Sequence, residues 1–307
     1  MAEVIKVRNL HKEYGATVAV DDVSFSVQEG EIFGILGRNG AGKTTTVECV
    51  EGLRAADRGE ISVLGLDPQR DRAELTQLLG VQLQDSQLPD KLTVAEALDL
   101  YSAFYRAPAD WRALLELLGL AEKARTPFKK LSGGQKQRLS IALALVANPR
   151  VAVLDELTTG LDPQARRDTW ELIEGIRDRG VTIVLVSHFM EEAERLCDRV
   201  ALIDAGRVVA IDSPASLAEQ AQAEQRIAFR PSAPFEDGLL TSLPSVHGLT
   251  RRGEVVTVTG GADALLEVIT TLSRAQITPQ RLRVDQGNLE DAFLELTGHH
   301  AVKEQVR

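Results

Sequence analysis

Hydrophobic positions along this chain fall into two patterns that alternate. Short apolar runs at 32–36, 151–154 and 183–186 carry no polar alternation. That is the pattern of parallel strands buried on both faces. Each run passes at its carboxyl end into polar residues, where an open α/β sheet places its ligands. Residues 4–9 and 60–64 alternate apolar and polar with period two, and Ser24-Phe25-Ser26-Val27 adds a strand of the same kind. From about 85 to 147 the spacing turns helical. Thr93 opens an amphipathic segment through Val94, Ala97, Leu98 and Tyr101, and Trp111, Leu114, Leu115, Leu117 and Leu118 mark another. The pattern predicts an α/β core carrying a helical insertion.

A change of composition marks a boundary. Residues 214–225 (PASLAEQAQAEQ) are rich in Ala, Gln and Glu and read as a solvated helix or linker. Beyond them, strands at Arg226–Arg230, Glu254–Thr259 and Arg281–Val284 alternate with helices over about 226–298. This predicts one domain over 1–220 and a small α/β accessory domain over 221–307. Composition adds a soluble globular character, with 44% hydrophobic and 26% charged residues. Lys+Arg 35 against Asp+Glu 45 gives a net charge of −10. That weighs against sequence-independent nucleic-acid binding, which needs basic surfaces facing phosphates. Cys49 and Cys197 lack metal-ligand spacing and read as buried thiols of a reducing compartment. No apolar run reaches the roughly 18 residues of a membrane span, and MAEVIKVRNL has no signal-peptide character. A cytoplasmic chain is expected, one that needs a membrane-spanning partner if it acts on a membrane.

The candidate chemistry sits at the ends of the apolar runs. Gly37-Arg38-Asn39-Gly40-Ala41-Gly42-Lys43-Thr44 fits GxxxxGK[ST] between a buried strand and a helix, with Thr45 continuing the helix start. Glycines let such a loop wrap a polyphosphate with backbone N–H groups, and the helix start favours negative charge. Lys43 supplies a point charge for the β- and γ-phosphates of ATP, and the Thr44 hydroxyl is a Mg²⁺ ligand. Asp155 ends the second buried run, where a carboxylate can hold the Mg²⁺ shell. The adjacent Glu156 is a candidate general base for the attacking water. Adjacent acids at a strand end can equally be solvated. Upstream lies Leu131-Ser132-Gly133-Gly134-Gln135-Lys136-Gln137-Arg138. Ser132 and Gln135 form a capping-box pattern opening an apolar helix through Leu139, Ile141, Ala142, Leu145 and Val146. Gly133 and Gly134 leave the N–H groups of that helix start open to an anion.

The octapeptide followed by VAVLDE resembles the signature of the ABC transporter ATPases. The resemblance covers about residues 3–220, with the motifs in the family's order, and implies a P-loop NTPase core with a helical signature subdomain. It reads Glu156 as the catalytic base and His188, ending TIVLVSH, as the switch residue contacting the γ-phosphate. Gln84, four residues after Gly80 and flanked by Gln82 and Gln87, matches the Q-loop glutamine that senses Mg²⁺. Tyr14 matches the aromatic residue that stacks on adenine, and Asp162 the D-loop residue that crosses between subunits. The resemblance implies a head-to-tail dimer with a second copy. Ser132, Gly133, Gly134, Gln135 and Asp162 would then serve in trans the ATP held by the other chain's Lys43. It also implies integral membrane permease subunits as partners, and thus the cytoplasmic face of the membrane.

The tail Asn288–Gly298 (NLEDAFLELTG) resembles the ending of type-2 ABC exporter ATPases, including drug-resistance ATPases, which implies export of a drug, lipid or other small amphipathic substrate. Read by itself it is a helix capped by Asn288 with Leu289, Phe293 and Leu296 on one face. The chain departs from the family at Leu157, where proline is usual, and a looser loop with one more N–H is expected there. A soluble ABC ATPase acting on nucleic acid or ribosomes, and a regulatory ATP-binding module without turnover, are the rival readings. The acidic charge opposes the first, and intact Glu156 and His188 oppose the second.

Overall fold

The computed structural model describes residues 2–82, 88–220, 225–261, 263–285 and 288–298. Contacts divide the chain into two units, Met1–Pro214 and Ala215–Arg307. The break falls just ahead of the boundary expected at 220.

In the first unit, the strands in chain order are β1 (Glu3–Tyr14), β2 (Thr17–Gln28), β3 (Ile32–Leu36), β4 (Arg58–Val63), β5 (Leu79–Gln82), β6 (Val151–Asp155), β7 (Thr182–Ser187), β8 (Arg199–Asp204) and β9 (Arg207–Asp212). They form two sheets. One is antiparallel with order β2-β1-β4, built from the period-two segments. The other has order β5-β6-β7-β3-β8-β9, parallel except for the edge pair β8–β9. Every residue of β3 is buried, as the unbroken apolar run predicts. Inward residues of both sheets share one core with the helix Lys43–Val50, including Ile5, Val7, Phe25, Phe33, Val47 and Val153. Phe25 and Phe33 stack across it with ring centroids 5.5 Å apart.

The strands β5, β8 and β9 were not among those expected. The β8–β9 connection is a tight turn with Ala205 at φ 46 and Gly206 at φ 78, the left-handed pair of a two-residue hairpin. Among the described residues between β5 and β6 are the helices Val94–Ser102, Trp111–Leu117 and Gly133–Leu145. Thr93 caps the first as its position implies. Its Oγ1 accepts from Glu96 N at 3.3 Å, and Glu96 Oε2 accepts from Thr93 N at 2.8 Å. Among the described residues no helix is long and apolar enough to cross a membrane.

The second unit is an antiparallel sheet of β10 (Gln225–Pro231), β11 (Val246–Arg252), β12 (Val255–Gly260) and β13 (Pro279–Asp285), in the order β11-β12-β10-β13. Helix Ala264–Arg274 lays Ala264, Val268 and Leu272 into its core beside Ile227, Phe229 and Val258. The strand β11 escaped the sequence reading because only Val246 in it is buried and no period-two alternation marks it. Asn288 caps the helix Leu289–Leu296. Leu289 and Phe293 are buried as expected, whereas Leu296 is exposed.

Removing one cap should be felt as stability alone. Thr93→Ala is expected to cost about 1 kcal/mol in denaturant unfolding with ATP turnover retained; an unchanged unfolding midpoint would contradict the capping assignment.

Candidate functional site

Strand register sets the site. β6 and β7 run parallel with Asp155 beside Val186, and β7 and β3 run parallel with Ser187 beside Leu36. The carboxyl ends of these neighbouring strands therefore bring together the P-loop after Leu36, the acids after Leu154 and the histidine after Ser187.

The P-loop is braced rather than free. Gly42 has φ 99, and a Cβ there would meet Ala19 O of β2 at 2.3 Å, so only glycine fits. Ala41 is buried, and its carbonyl accepts from Gly206 N at 2.9 Å, tying the loop to the β8–β9 turn. Arg38, Asn39 and Gly40 face solvent, and nothing stands within 4 Å of the place a Gly40 Cβ would take. Lys43 is buried and its Nζ donates to Gly37 O at 2.8 Å and Arg38 O at 3.0 Å. Burial lowers the lysine pKa, while Glu156 and Asp155 oppose that shift. Thr44 is exposed and Thr45 half-buried at the first turn of the helix.

Facing the loop are the two acids. Burial, then Glu156, pushes the Asp155 carboxyl up to about 6, with Lys43 and His188 opposing. Such a half-buried acid crowded by another acid is the environment a bound cation relieves, so the residues present fit Mg²⁺. Asp155 N donates to Gln82 Oε1 at 3.0 Å, which fixes the strand end. Burial, then Asp155 and Glu48, pushes Glu51 up to about 8. Glu156 N continues the ladder to Val186 O at 2.9 Å, but its φ is 49, a left-handed conformation for a residue with a side chain. Its Oε1 lies 3.1 Å from His188 Nδ1. The next residue, Leu157, is fully buried, so an anchored side chain replaces the looser loop expected without proline.

Other expected residues stand apart. Ser132 caps the helix Gly133–Leu145, its Oγ accepting from Gln135 N at 3.3 Å and Gln135 Oε1 accepting from Ser132 N at 3.0 Å. Ser132 and Gly133 are exposed, and Gly133 has nothing within 4 Å of a would-be Cβ, so this helix start is open. Asp162 caps the helix Pro163–Arg177, accepting from Gln164 N at 3.0 Å and Ala165 N at 2.9 Å. Tyr14 is exposed at the end of β1, its ring flanked by Lys12 Nζ at 5.4 Å and Arg54 Cζ at 5.5 Å. Gln84 lies outside the described residues. Ser187 and Glu192, both buried and hydrogen-bonded to each other on either side of His188 in the chain, belong to no motif in the sequence; a carboxylate four residues after the histidine, beside the buried Ala193 and Leu196, is the available signal.

A parallel sheet whose carboxyl edge joins a P-loop, paired acids and a histidine defines a P-loop nucleotide-hydrolysing α/β protein. The ABC transporter family model matches residues 20–159. The Nod factor export ATP-binding protein I of Burkholderia orbicola (strain AU 1054) is 47% identical over 221 residues, covering 70% of this chain and 72% of that one. The linearmycin resistance ATP-binding protein LnrL of Bacillus subtilis (strain 168) is 35% identical over 306 residues, covering 96% and 98%. Among solved structures, an ATP-binding subunit of an ABC transporter superposes with TM-score 0.64 at 29% identity, over 71% of this chain and 92% of that one. The dimeric post-hydrolysis cassette MJ0796 bound to ADP and Pi does so with TM-score 0.60 at 28% identity, over 68% and 98%. The chain belongs to the ATP-binding subunits of ABC transporters. It is an ATPase of a family whose subunits dimerise and pair with membrane components.

The raised Asp155 pKa makes stability depend on pH. Folding favours the protonated acid, so the folded state holds an extra proton between 3.8 and about 6, and stability falls as pH rises through that window. At pH 7 without metal, Asp155→Asn is expected to be more stable than wild type by about 1–2 kcal/mol after allowing for solvent screening. The difference should vanish below pH 4; equal stabilities at pH 7 would contradict it.

Proposed function

We propose that the chain hydrolyses ATP at the carboxyl edge of its parallel sheet, and that the contact between Glu156 and His188 is the catalytic pair. The 3.1 Å separation of Glu156 Oε1 and His188 Nδ1 is the observation that carries this reading. The P-loop N–H groups and Lys43 hold the β- and γ-phosphates, giving up the loop carbonyls that Lys43 now engages. Water attacks the γ-phosphorus in line, its proton passes to Glu156, and the bond to the ADP oxygen breaks. His188 steadies the Glu156 carboxylate through Nδ1 and leaves Nε2 to meet the transferred phosphoryl group. Thr44 and Asp155 are the described residues that would hold Mg²⁺, with Gln84 as a further ligand, and the ion when bound neutralises charge on the β- and γ-oxygens. Tyr14 stacks on adenine, exchanging a cation for the base on one ring face.

The remaining residues act across a homodimer. The open helix start at Ser132, Gly133, Gly134 and Gln135, together with Asp162, completes the site of a second copy. The dimeric relative with ADP and Pi supports this arrangement. Two relatives are named for export of Nod factor and for linearmycin resistance. With the type-2 exporter ending, they support an exporter that moves an amphipathic lipid-like or drug-like molecule through separate permease subunits at the cytoplasmic face of the membrane. The 1–220 segment would then be the motor and 221–307 an accessory domain.

Glu156→Gln tests the core of this reading. ATP binding should survive, phosphate release should fall by about 100-fold or more, and an ATP-bound dimer should persist on size-exclusion chromatography. Undiminished turnover would refute Glu156 as the base. Affinity purification from detergent-solubilised membranes should recover a hydrophobic permease; recovery of ribosomal proteins alone would refute the transport role.

A further inference from the structure

A buried acid accepts a hydrogen bond from Ser187, the residue that precedes His188 in the chain. Glu192, in the helix Met190–Leu196, is fully buried. Its Oε2 accepts from Ser187 Oγ at 2.6 Å and its Oε1 from Trp170 Nε1 at 3.4 Å. Ser187 Oγ in turn accepts from Phe189 N at 3.0 Å. Residues on both sides of His188 are therefore tied to one carboxylate. Thr158 is also buried. Its hydroxyl has no hydrogen-bond partner among the described residues. Thr158 belongs to the turn after Glu156, in which Thr159 N donates to Glu156 O at 3.3 Å.

A core built only for packing would place an apolar side chain at 192, since an unsatisfied buried acid is costly. Here the acid organises donors. A carboxylate accepts only, so the Ser187 hydroxyl proton is committed to it, and the Ser187 lone pairs are left for the Phe189 N–H. That chain fixes the direction of the backbone through His188. Burial raises the Glu192 pKa, and Ser187, Thr158, Trp170 and Arg166 oppose the shift in that order.

We propose that Glu192 is a positioning residue for ATP hydrolysis. It ties the Ser187–Phe189 segment to the helix that carries Trp170 and thereby sets His188 Nδ1 against Glu156 Oε1. The inference rests on reading Glu156 and His188 as the catalytic pair. A carboxamide at 192 would turn an NH₂ donor toward donors, loosening the segment without touching the nucleotide loop. Displacements of about 1 Å at a reacting group can cost about 100-fold in rate.

The test is a kinetic and spectroscopic comparison of full-length variants. Glu192→Gln should lower kcat about 10- to 100-fold, leave KM for ATP within about twofold, and shift the His188 ring resonance in NMR spectra. Ser187→Ala should reproduce the kcat loss, and the double variant should be no worse than either single, as coupled residues behave. Ile173→Val, a core truncation on the helix carrying Trp170, should lower the melting temperature with kcat unchanged. If Glu192→Gln does not fold, Ser187→Ala alone decides. Wild-type kcat in Ser187→Ala, or a kcat loss that merely tracks melting temperature across all variants, would overturn the positioning role. His188→Ala separates the two levels. Full turnover there overturns the catalytic pair and the inference with it, whereas turnover lost there but kept in Ser187→Ala overturns the positioning role alone.

Discussion

Everything at the site depends on the register of three neighbouring strands. The strands β6, β7 and β3 run parallel, so Asp155, Ser187 and Leu36 end within one residue of the same level of the sheet. The runs are buried on both faces and cannot bear polar side chains along their length. Polar residues therefore begin where the strands end, and three loops of different chemistry are forced into one edge. A slip of one residue in β7 would invert its faces and carry His188 away from Glu156. The fold thus specifies the chemistry by the same apolar runs that build its core.

Much of this could be read from the sequence because the signals are local. Uninterrupted apolar runs gave the strands, Thr93 and Ser132 gave their helix starts, and the GxxxxGK[ST] spacing gave the phosphate loop. What escaped depends on distant partners. The glycine at 42 is required by Ala19 O, a carbonyl on another strand. The β8–β9 turn braces Ala41 through Gly206, a contact that no local pattern encodes. In sequence Glu192 is one of several acids in a charged segment, and only its burial and its bonds to Trp170 and Ser187 set it apart. β11 lacked a usable pattern because its side chains are mostly exposed.

The electrostatics follow from the same crowding. Burial raises the pKa of both Asp155 and Glu51, with Glu156 adding to the first and Asp155 to the second, while Lys43 opposes the shift at Asp155. Lys43 meanwhile spends its donors on loop carbonyls. Such a site is poised for ligands that bring a cation to the acids and phosphate oxygens to the lysine together. Glu156 adds backbone strain by holding φ 49, a conformation of the sort found at functional sites and kept by surrounding structure. Burial of Leu157 and the bond from Glu156 N to Val186 O supply that restraint.

In the proposed homodimer, the exposed helix start at Ser132 supplies donors to the far side of the nucleotide held by the other chain. The most direct measurement is complementation between two inactive chains, Lys43→Ala and Ser132→Arg. In a head-to-tail dimer of one chain of each kind, one site carries both defects and the other carries neither. Each variant alone should be inactive, and mixing them should restore ATP hydrolysis. A mixture as inactive as its components, with mixed dimers shown to form, would contradict a site built from two chains.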